Sequence, residues 1–169
     1  MRIGCPAEIK NHEYRVGLTP ESARELVTRG NEVWIESGAG MGIGATDDQY
    51  RSAGAKIVDG PDPIFAECEM VVKVKEPQAV ERAKLREGQI LYTYLHLAPD
   101  PEQTEDLVKS GVTAIAYETV TGPRGVRKTW RRPRPDGALQ LASASAASAR
   151  SAPARLTAAS TASELSTRC

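Results

Sequence analysis

The chain has 169 residues, which suits one domain or one domain with an extension. It carries 22 Lys+Arg and 22 Asp+Glu, so its overall charge gives no indication of nucleic-acid binding. Its cysteines, Cys5, Cys68 and Cys169, are few and widely spaced, which favours a reducing compartment over a disulfide framework. The N-terminus becomes charged too early for a signal peptide, and no apolar run approaches the roughly 20 residues of a membrane helix. We therefore expect a cytoplasmic protein with no membrane partner.

Strand-like and helix-like segments alternate from residue 1 to residue 122. The strand-like runs are 2–6, 32–37, 56–59, 70–75, 89–95 and 113–118. Parallel strands that are buried on both faces read as nearly continuous apolar runs, and MVVKV and AIAY have that character. Strand, helix, strand order at this spacing predicts βαβ units. The predicted fold is α/β, with a mainly parallel, Rossmann-like (flavodoxin-like) sheet in three layers.

Four helix-like stretches carry start and stop signals between these strands. The first, 19–30, has Thr19 as N-cap, Pro20 at the first helical position and Gly30 as terminator. The second, 46–54, is a shorter copy of this pattern. The last two are 77–88 and 99–111, and each also begins at a proline and ends at a glycine.

The composition changes after residue 122. Residues 123–169 contain 9 Lys+Arg and 2 Asp+Glu, which gives +7, and residues 1–122 therefore carry −7. Of the 47 residues in this tail, 18 are Ala or Ser, and no capped helix or convincing strand is visible. We predict a folded domain over 1–122 and a disordered, basic, Ala/Ser-rich tail over 123–169.

A glycine-rich stretch, GMGIGA at 40–45, fits the dinucleotide-binding fingerprint and lies between a strand and a helix. Two details oppose that interpretation. Polar residues at 36–37 separate the apolar strand from the glycines, whereas the fingerprint turn follows its strand directly. Asp47 and Asp48 open the next helix and would repel a pyrophosphate there. We favour a flexible or tightly turned surface loop before a capped helix.

Arg15 lies in the loop that follows the first predicted strand. In open α/β sheets, ligands bind beyond the carboxyl ends of the strands. The guanidinium of Arg15 is a planar, permanently charged fork that suits a carboxylate. The alternative is a surface arginine that pairs with Glu13 or Glu8.

Lys73 and Lys75 share one face of an otherwise apolar strand, since alternate residues point the same way. Such lysines are costly to bury unless at least one meets an anion or reaches the strand end. Lys75 is the later of the two and is predicted to lie at the mouth of a site. The alternative is that Lys75 snorkels to solvent or pairs with Glu76.

His96 follows the strand-like run QILYTYL and precedes a predicted helix, so it lies at a carboxyl end of the sheet. Histidine titrates near neutral pH and can exchange protons with a reacting centre. The alternative is a half-buried histidine whose hydrogen bonds are satisfied. His12 lies in a polar loop and is predicted to be a surface residue. No His/Cys/Asp spacing indicates a metal site.

Taken together, residues 1–122 resemble the N-terminal part of NAD-dependent alanine dehydrogenases. The matching stretches, in chain order, are MRIGCPAEIKNHEYRVGLTP, WIESGAGMGIG, VVKVKEP, LREGQILYTYLHLA and VTAIAYETV. The alpha subunit of NAD(P) transhydrogenase shares the early RVxxTP and ESGAG elements. The YLHLA segment with its histidine favours alanine dehydrogenase.

The resemblance implies an enzyme that converts L-alanine to pyruvate and ammonium with NAD as hydride acceptor, and that also runs in reverse. It implies that Arg15 holds the substrate carboxylate and that Lys75 contacts the carboxylate or carbonyl end. His96 matches the general acid/base. The glycine stretch belongs to the substrate domain in this family and does not hold NAD. The family forms hexamers, which implies a homo-oligomer.

The chain departs from the family pattern after YETV, where an NAD-binding domain is expected and the basic tail stands instead. We interpret 1–122 as an incomplete substrate domain, inactive alone, with apolar surface left uncovered, and 123–169 as a shifted reading frame or aberrant end. The alternative is a non-catalytic binding module in which WRRPRPDG contacts nucleic acid or another anionic partner. We favour a solvated tail and no nucleic-acid partner, because the rest of the chain is acidic.

Overall fold

The computed structural model of the protein describes residues 1–120, which build one six-stranded parallel sheet flanked by helices. The predicted disorder of 123–169, the boundary at 122 and the shifted-frame hypothesis concern residues outside this range. The strands are β1 (Arg2–Cys5), β2 (Glu32–Glu36), β3 (Lys56–Val58), β4 (Met70–Val72), β5 (Ile90–Thr93) and β6 (Thr113–Ala116). The predicted α/β class with a parallel sheet is confirmed.

Five helices connect these strands. They are α1 (Pro20–Thr28), α2 (Asp47–Ser52), α3 (Asp62–Glu67), α4 (Ala79–Arg82) and α5 (Pro101–Ser110), with short 3₁₀ turns at Met41–Ile43 and Tyr117–Thr119. One core packs α1 and α2 on one sheet face, and a second core packs α3 and α5 on the other. The predicted three-layer arrangement is therefore confirmed.

The strand order is β3-β2-β1-β4-β5-β6, which is the Rossmann order and not the flavodoxin-like order that we also named. The chain runs outward from β1 through β2 to β3, and then returns to place β4 on the free side of β1. The sequence pattern of strands and helices does not reveal the strand order, because each helix joins two parallel strands in both the Rossmann and the flavodoxin-like order. The reversal opens a crevice beyond the carboxyl ends of β1 and β4, where such sheets bind ligands.

The predicted starts of α1 and α2 are confirmed. Thr19 accepts a hydrogen bond from the Ser22 amide at the start of α1, and Thr46 forms a capping box with Gln49 at the start of α2. The prediction of helix over 77–88 is too long, since α4 covers only Ala79–Arg82, and α5 begins at Pro101 rather than residue 99. Helix α3 was not predicted.

The predicted strand at 70–75 ends at Val72 and that at 89–95 ends at Thr93. Side-chain carboxylates cause both differences. Glu8 takes the Val74 amide, and Glu118 takes the amides of Leu95 and His96, so these donors leave the strand ladder. Within the described range, no helix has the length and apolar character that a bilayer crossing requires.

Candidate active site

The loops after β1, β4, β5 and β6 converge at the carboxyl edge of the sheet. The loop after β1 carries Arg15, the segment after β4 carries Lys75, and the segment after β5 carries His96. The turn after β6 contributes Tyr117 and Glu118. The edge that the sequence indicated is therefore the one at which the three predicted residues lie.

A buried ion cluster lies at this edge of the sheet. Lys73 Nζ lies 2.6 Å from Glu81 Oε1 and 3.3 Å from Glu8 Oε2, with all three side chains at most 5% exposed. Burial raises the pKa of Glu8, and the Lys73 charge works in the opposite direction. Lys73 is thus a structural cation that ties the loop after β1 to the segment after β4.

The backbone next to Lys75 is held by three side chains. The Val74 amide donates to Glu8 Oε1 at 2.6 Å, and the Tyr117 hydroxyl donates to the Val74 carbonyl at 2.6 Å. The Thr93 hydroxyl donates to the Lys75 carbonyl at 2.7 Å. Burial raises the pKa of Tyr117, so its phenol stays protonated and remains a donor. This segment is therefore fixed from β1, β5 and β6.

The side chains of Lys75 and His96 both contact one aromatic ring, that of Tyr94. Lys75 Nζ lies 4.9 Å from the centroid of the Tyr94 ring, a cation–π distance. The His96 ring lies edge-on to the same ring at 5.6 Å between centroids. Glu76 pairs with Lys10, so the alternative pairing of Lys75 with Glu76 is not the arrangement observed.

His96 is exposed and not the half-buried residue of the alternative interpretation. Its backbone lies in the left-handed region, with φ of 49°. Non-glycine residues enter this region at a cost of about 1–3 kcal/mol and only where their surroundings hold them there. His12, the other histidine, is exposed as predicted and also has positive φ, 60°.

Arg15 pairs with Glu13, as the alternative interpretation of this residue anticipated. Its Nε lies 2.8 Å from Glu13 Oε1 and its Nη2 lies 2.5 Å from Oε2, which leaves the Nη1 side of the fork for a second carboxylate. The Arg15 bond holds the pKa of Glu13 below its usual value, and the Lys75 charge adds to this effect. The charges of Arg15 and Lys75 therefore both stabilise the ionised carboxylate of Glu13.

The glycine loop lies beside this edge and does not have the features of a phosphate cradle. Asp47 accepts hydrogen bonds from the Gly38 amide at 2.9 Å and the Ser37 hydroxyl at 2.7 Å, so a carboxylate of the chain occupies the anion position. A Cβ on Gly42 would collide with the carbonyl of Tyr14. Close backbone packing explains this glycine, and residues 37–47 do not fit a dinucleotide.

Sequence reasoning missed four residues that organise the site: Glu8, Tyr94, Tyr117 and Glu118. Tyr94 lies inside the predicted strand 89–95, but its position two residues before His96 is a usable signal. Tyr117 and Glu118 lie inside the predicted strand 113–118, whereas in the structure they follow β6. Within residues 1–120, no group of three or more His, Cys, Asp or Glu side chains is arranged to hold a metal ion.

The fold and this edge define a doubly wound α/β domain with a cationic, aromatic-lined site at its topological switch point. Residues 4–129 match the family model described as "Alanine dehydrogenase/PNT, N-terminal domain". The chain belongs to this family, as the resemblance of residues 1–122 predicted.

Several alanine dehydrogenases are similar to this chain. The enzyme of Halomonas elongata is 51% identical over 125 residues, covering 74% of this chain and 34% of its own. The enzyme of Bacillus subtilis is 50% identical over 124 residues, covering 73% of this chain and 32% of its own. The chain thus spans about a third of the length of the curated relatives it matches.

Two solved structures show the same fold. An L-alanine dehydrogenase superposes with a TM-score of 0.71 at 52% identity, covering 73% of this chain and 34% of that chain. A transhydrogenase from Sinorhizobium meliloti superposes with a TM-score of 0.67 at 26% identity, covering 72% of this chain and 36% of that chain. The higher identity lies with alanine dehydrogenase.

Proposed function

We propose that this chain provides the substrate-binding site of an L-alanine dehydrogenase, which converts L-alanine, NAD and water to pyruvate, ammonium and NADH. The observation that carries the proposal is the meeting of Lys75 and His96 on the Tyr94 ring at the switch point. The identity of about half to proteins named alanine dehydrogenase supports it.

In this proposal Arg15 binds the substrate carboxylate. Glu13 orients the guanidinium through two short contacts, and the substrate takes the remaining side of the fork. Glu13 is almost buried at 7% exposure, whereas Arg15 is 45% exposed, so the charge faces outward toward an incoming anion. A bidentate arginine contact also fixes the orientation of a planar carboxylate.

Lys75 contacts the carboxylate or carbonyl end of the substrate, and His96 exchanges protons with the reacting nitrogen and water. Both groups contact the Tyr94 ring, Lys75 Nζ at 4.9 Å from its centroid and the His96 ring at 5.6 Å. The clamp on Val74 and Lys75 limits the freedom of the lysine stem. Positioning of this kind is a large part of what an enzyme contributes to a bimolecular reaction.

We further propose that NAD is held by residues other than 1–120 and that the 169-residue chain alone does not turn over. The misfit of the glycine loop supports this view, because Asp47 fills its anion position. We also propose a cytoplasmic homo-oligomer. The two buried free cysteines, Cys5 and Cys68, are compatible with a reducing compartment.

Calorimetric titration of pyruvate into the 169-residue chain tests the binding proposal. Arg15→Ala should weaken binding about tenfold to a hundredfold, since a charge-assisted hydrogen bond contributes about 1.5–3 kcal/mol. Arg51→Ala is the matched control, because Arg51 is also exposed and paired with a carboxylate, Asp48, on α2. Equal pyruvate affinity in the two variants would rule out the role assigned to Arg15.

A transhydrogenase-like function is the second candidate, and the superposition on the Sinorhizobium meliloti protein is the observation that favours it. The same calorimetry separates the two. Saturable pyruvate binding that depends on Arg15 and Lys75 supports alanine dehydrogenase, whereas a chain that is folded by circular dichroism and takes up no pyruvate favours the second candidate.

A further inference from the structure

The backbone of His96 is held in an uncommon conformation by a partner from another strand. Strand β5 ends at Thr93, and three residues later His96 has φ of 49°. Nothing in the local sequence supplies a glycine or asparagine for a left-handed residue at this point. A non-glycine residue occupies this region at a cost, which contacts with its surroundings offset.

Glu118 supplies such a contact. Its Oε1 accepts hydrogen bonds from the Leu95 amide at 3.1 Å and from the His96 amide at 3.0 Å. A carboxylate that accepts from two successive amides fixes the two peptide planes that flank Leu95, the second of which leads into His96, and its charge strengthens both bonds. The contact spans 22 residues of chain, so it joins the ends of β5 and β6.

The turn that carries Glu118 is itself anchored. The Thr119 hydroxyl donates to the Ala116 carbonyl at 2.8 Å, and Tyr117 reaches the Val74 carbonyl beside Lys75. One short turn after β6 therefore contacts both segments that carry proposed site residues. A shift of this turn would move the Lys75 and His96 segments together.

The second oxygen of Glu118 argues against a purely stabilising role. Oε2 is buried and has no hydrogen-bond partner among residues 1–120. A buried carboxylate oxygen without a partner costs free energy, which offsets part of what the two amide bonds contribute to stability. The cost is explained if the charge on Oε1 is needed where it lies.

We propose that Glu118 is a positioning residue for His96: its carboxylate fixes the Leu95 and His96 amides and so directs the imidazole against the Tyr94 ring. This inference rests on the proposed function for the role of His96, and its structural content does not depend on substrate binding. Glu118 acts on the reaction through the backbone of His96.

The test uses the ¹⁵N-labelled 169-residue chain, with Glu118→Ala and Glu118→Gln as variants. In the wild type the two amides should exchange slowly, and the His96 amide-to-Hα coupling should report the left-handed conformation. Glu118→Ala should accelerate exchange of both amides about tenfold to a hundredfold and change that coupling. Glu118→Gln retains an acceptor oxygen, so it should restore part of the protection.

Glu105→Ala is the matched control, because Glu105 is exposed on α5 and pairs with Lys109 on the same helix. Its amide exchange at Leu95 and His96 should equal that of the wild type. Fast exchange of both amides in the wild type, or equal protection in Glu118→Ala and Glu105→Ala, would overturn the proposal. If Glu118→Ala does not fold, Glu118→Gln is compared with the wild type instead. Faster exchange of the Leu95 and His96 amides than in the wild type supports the proposal, and equal exchange overturns it.

Pyruvate titration of the same samples separates this inference from the proposed function. Changed His96 coupling in Glu118→Ala together with no pyruvate binding by the wild type would support the positioning contact and contradict the substrate proposal. Unchanged His96 coupling in Glu118→Ala together with pyruvate binding by the wild type would contradict the positioning contact and support the substrate proposal.

Discussion

Replacing Lys73 with methionine tests whether the buried ion cluster holds the loops of the site together. Methionine has a similar length and no charge, so Lys73→Met leaves Glu8 and Glu81 buried without their shared cation. Removing one partner of a buried ion pair costs about 3–5 kcal/mol, because the remaining charge stays desolvated. Here two carboxylates lose their partner, and their side chains are 2% and 5% exposed.

The magnitude is large compared with the whole stability of a small domain, which is about 5–15 kcal/mol. We expect the free energy of unfolding to fall by roughly 4 kcal/mol. The melting temperature should then fall by about 10–20 °C, since about 1 kcal/mol shifts it by a few degrees in a domain of this size. Urea unfolding and a thermal melt, both followed by circular dichroism, measure these quantities.

Lys84→Met is the control for this experiment. Lys84 lies 2.5 Å from Asp62, but the two side chains are 37% and 80% exposed, so the pair is screened by solvent. The same chemical change should therefore alter the unfolding free energy by no more than about 1 kcal/mol. Equal effects of Lys73→Met and Lys84→Met would refute the reasoning about the buried cluster.

Three further changes test other parts of the structure. Gly42→Ala forces a Cβ into the Tyr14 carbonyl, so the free energy of unfolding measured in urea should fall by about 1–3 kcal/mol. Pyruvate binding measured by calorimetry should also weaken. Unchanged values of both would show that the loop moves aside without cost. Burial raises the pKa of Glu8 in the folded state above its usual value of 4.5, so the contribution of this group to stability is complete below pH 4.5 and is lost as pH rises through the raised pKa. Glu8→Gln should therefore flatten the decline of unfolding free energy with rising pH above about 4.5, and parallel wild-type and variant curves would contradict this. Tyr50→Phe removes the buried 2.7 Å hydrogen bond to the Leu18 carbonyl, so the free energy of unfolding measured in urea should fall by about 1–3 kcal/mol. Tyr14→Phe removes a hydroxyl at an exposed position and should lower it far less.

Local sequence signals predicted the elements whose determinants are local. Thr19, Pro20 and Gly30 define α1 because capping, ring geometry and positive φ act within a few residues. Helix α4 has only four residues, and it is stabilised in part by a contact outside its own segment, the pairing of Arg82 with Asp106 on α5.

The three candidate residues could be placed at the carboxyl edge of the sheet because the alternation of strands and helices is legible in the sequence. The arrangement around them could not, because it depends on long-range carboxylate contacts. Glu8 reaches Val74 across 66 residues and Glu118 reaches His96 across 22. Each contact ends a strand earlier than its apolar run suggests.

A map of amide shift changes on adding pyruvate to the ¹⁵N-labelled 169-residue chain tests the central claim most directly. We predict saturable changes that centre on residues 13–15, 74–75, 94–96 and 117–118, where the four loops converge. The glycine stretch at 40–45 should respond only at Gly42, through its contact with Tyr14. No response, or a response centred on the glycine stretch or on the opposite edge of the sheet, would contradict the site described above.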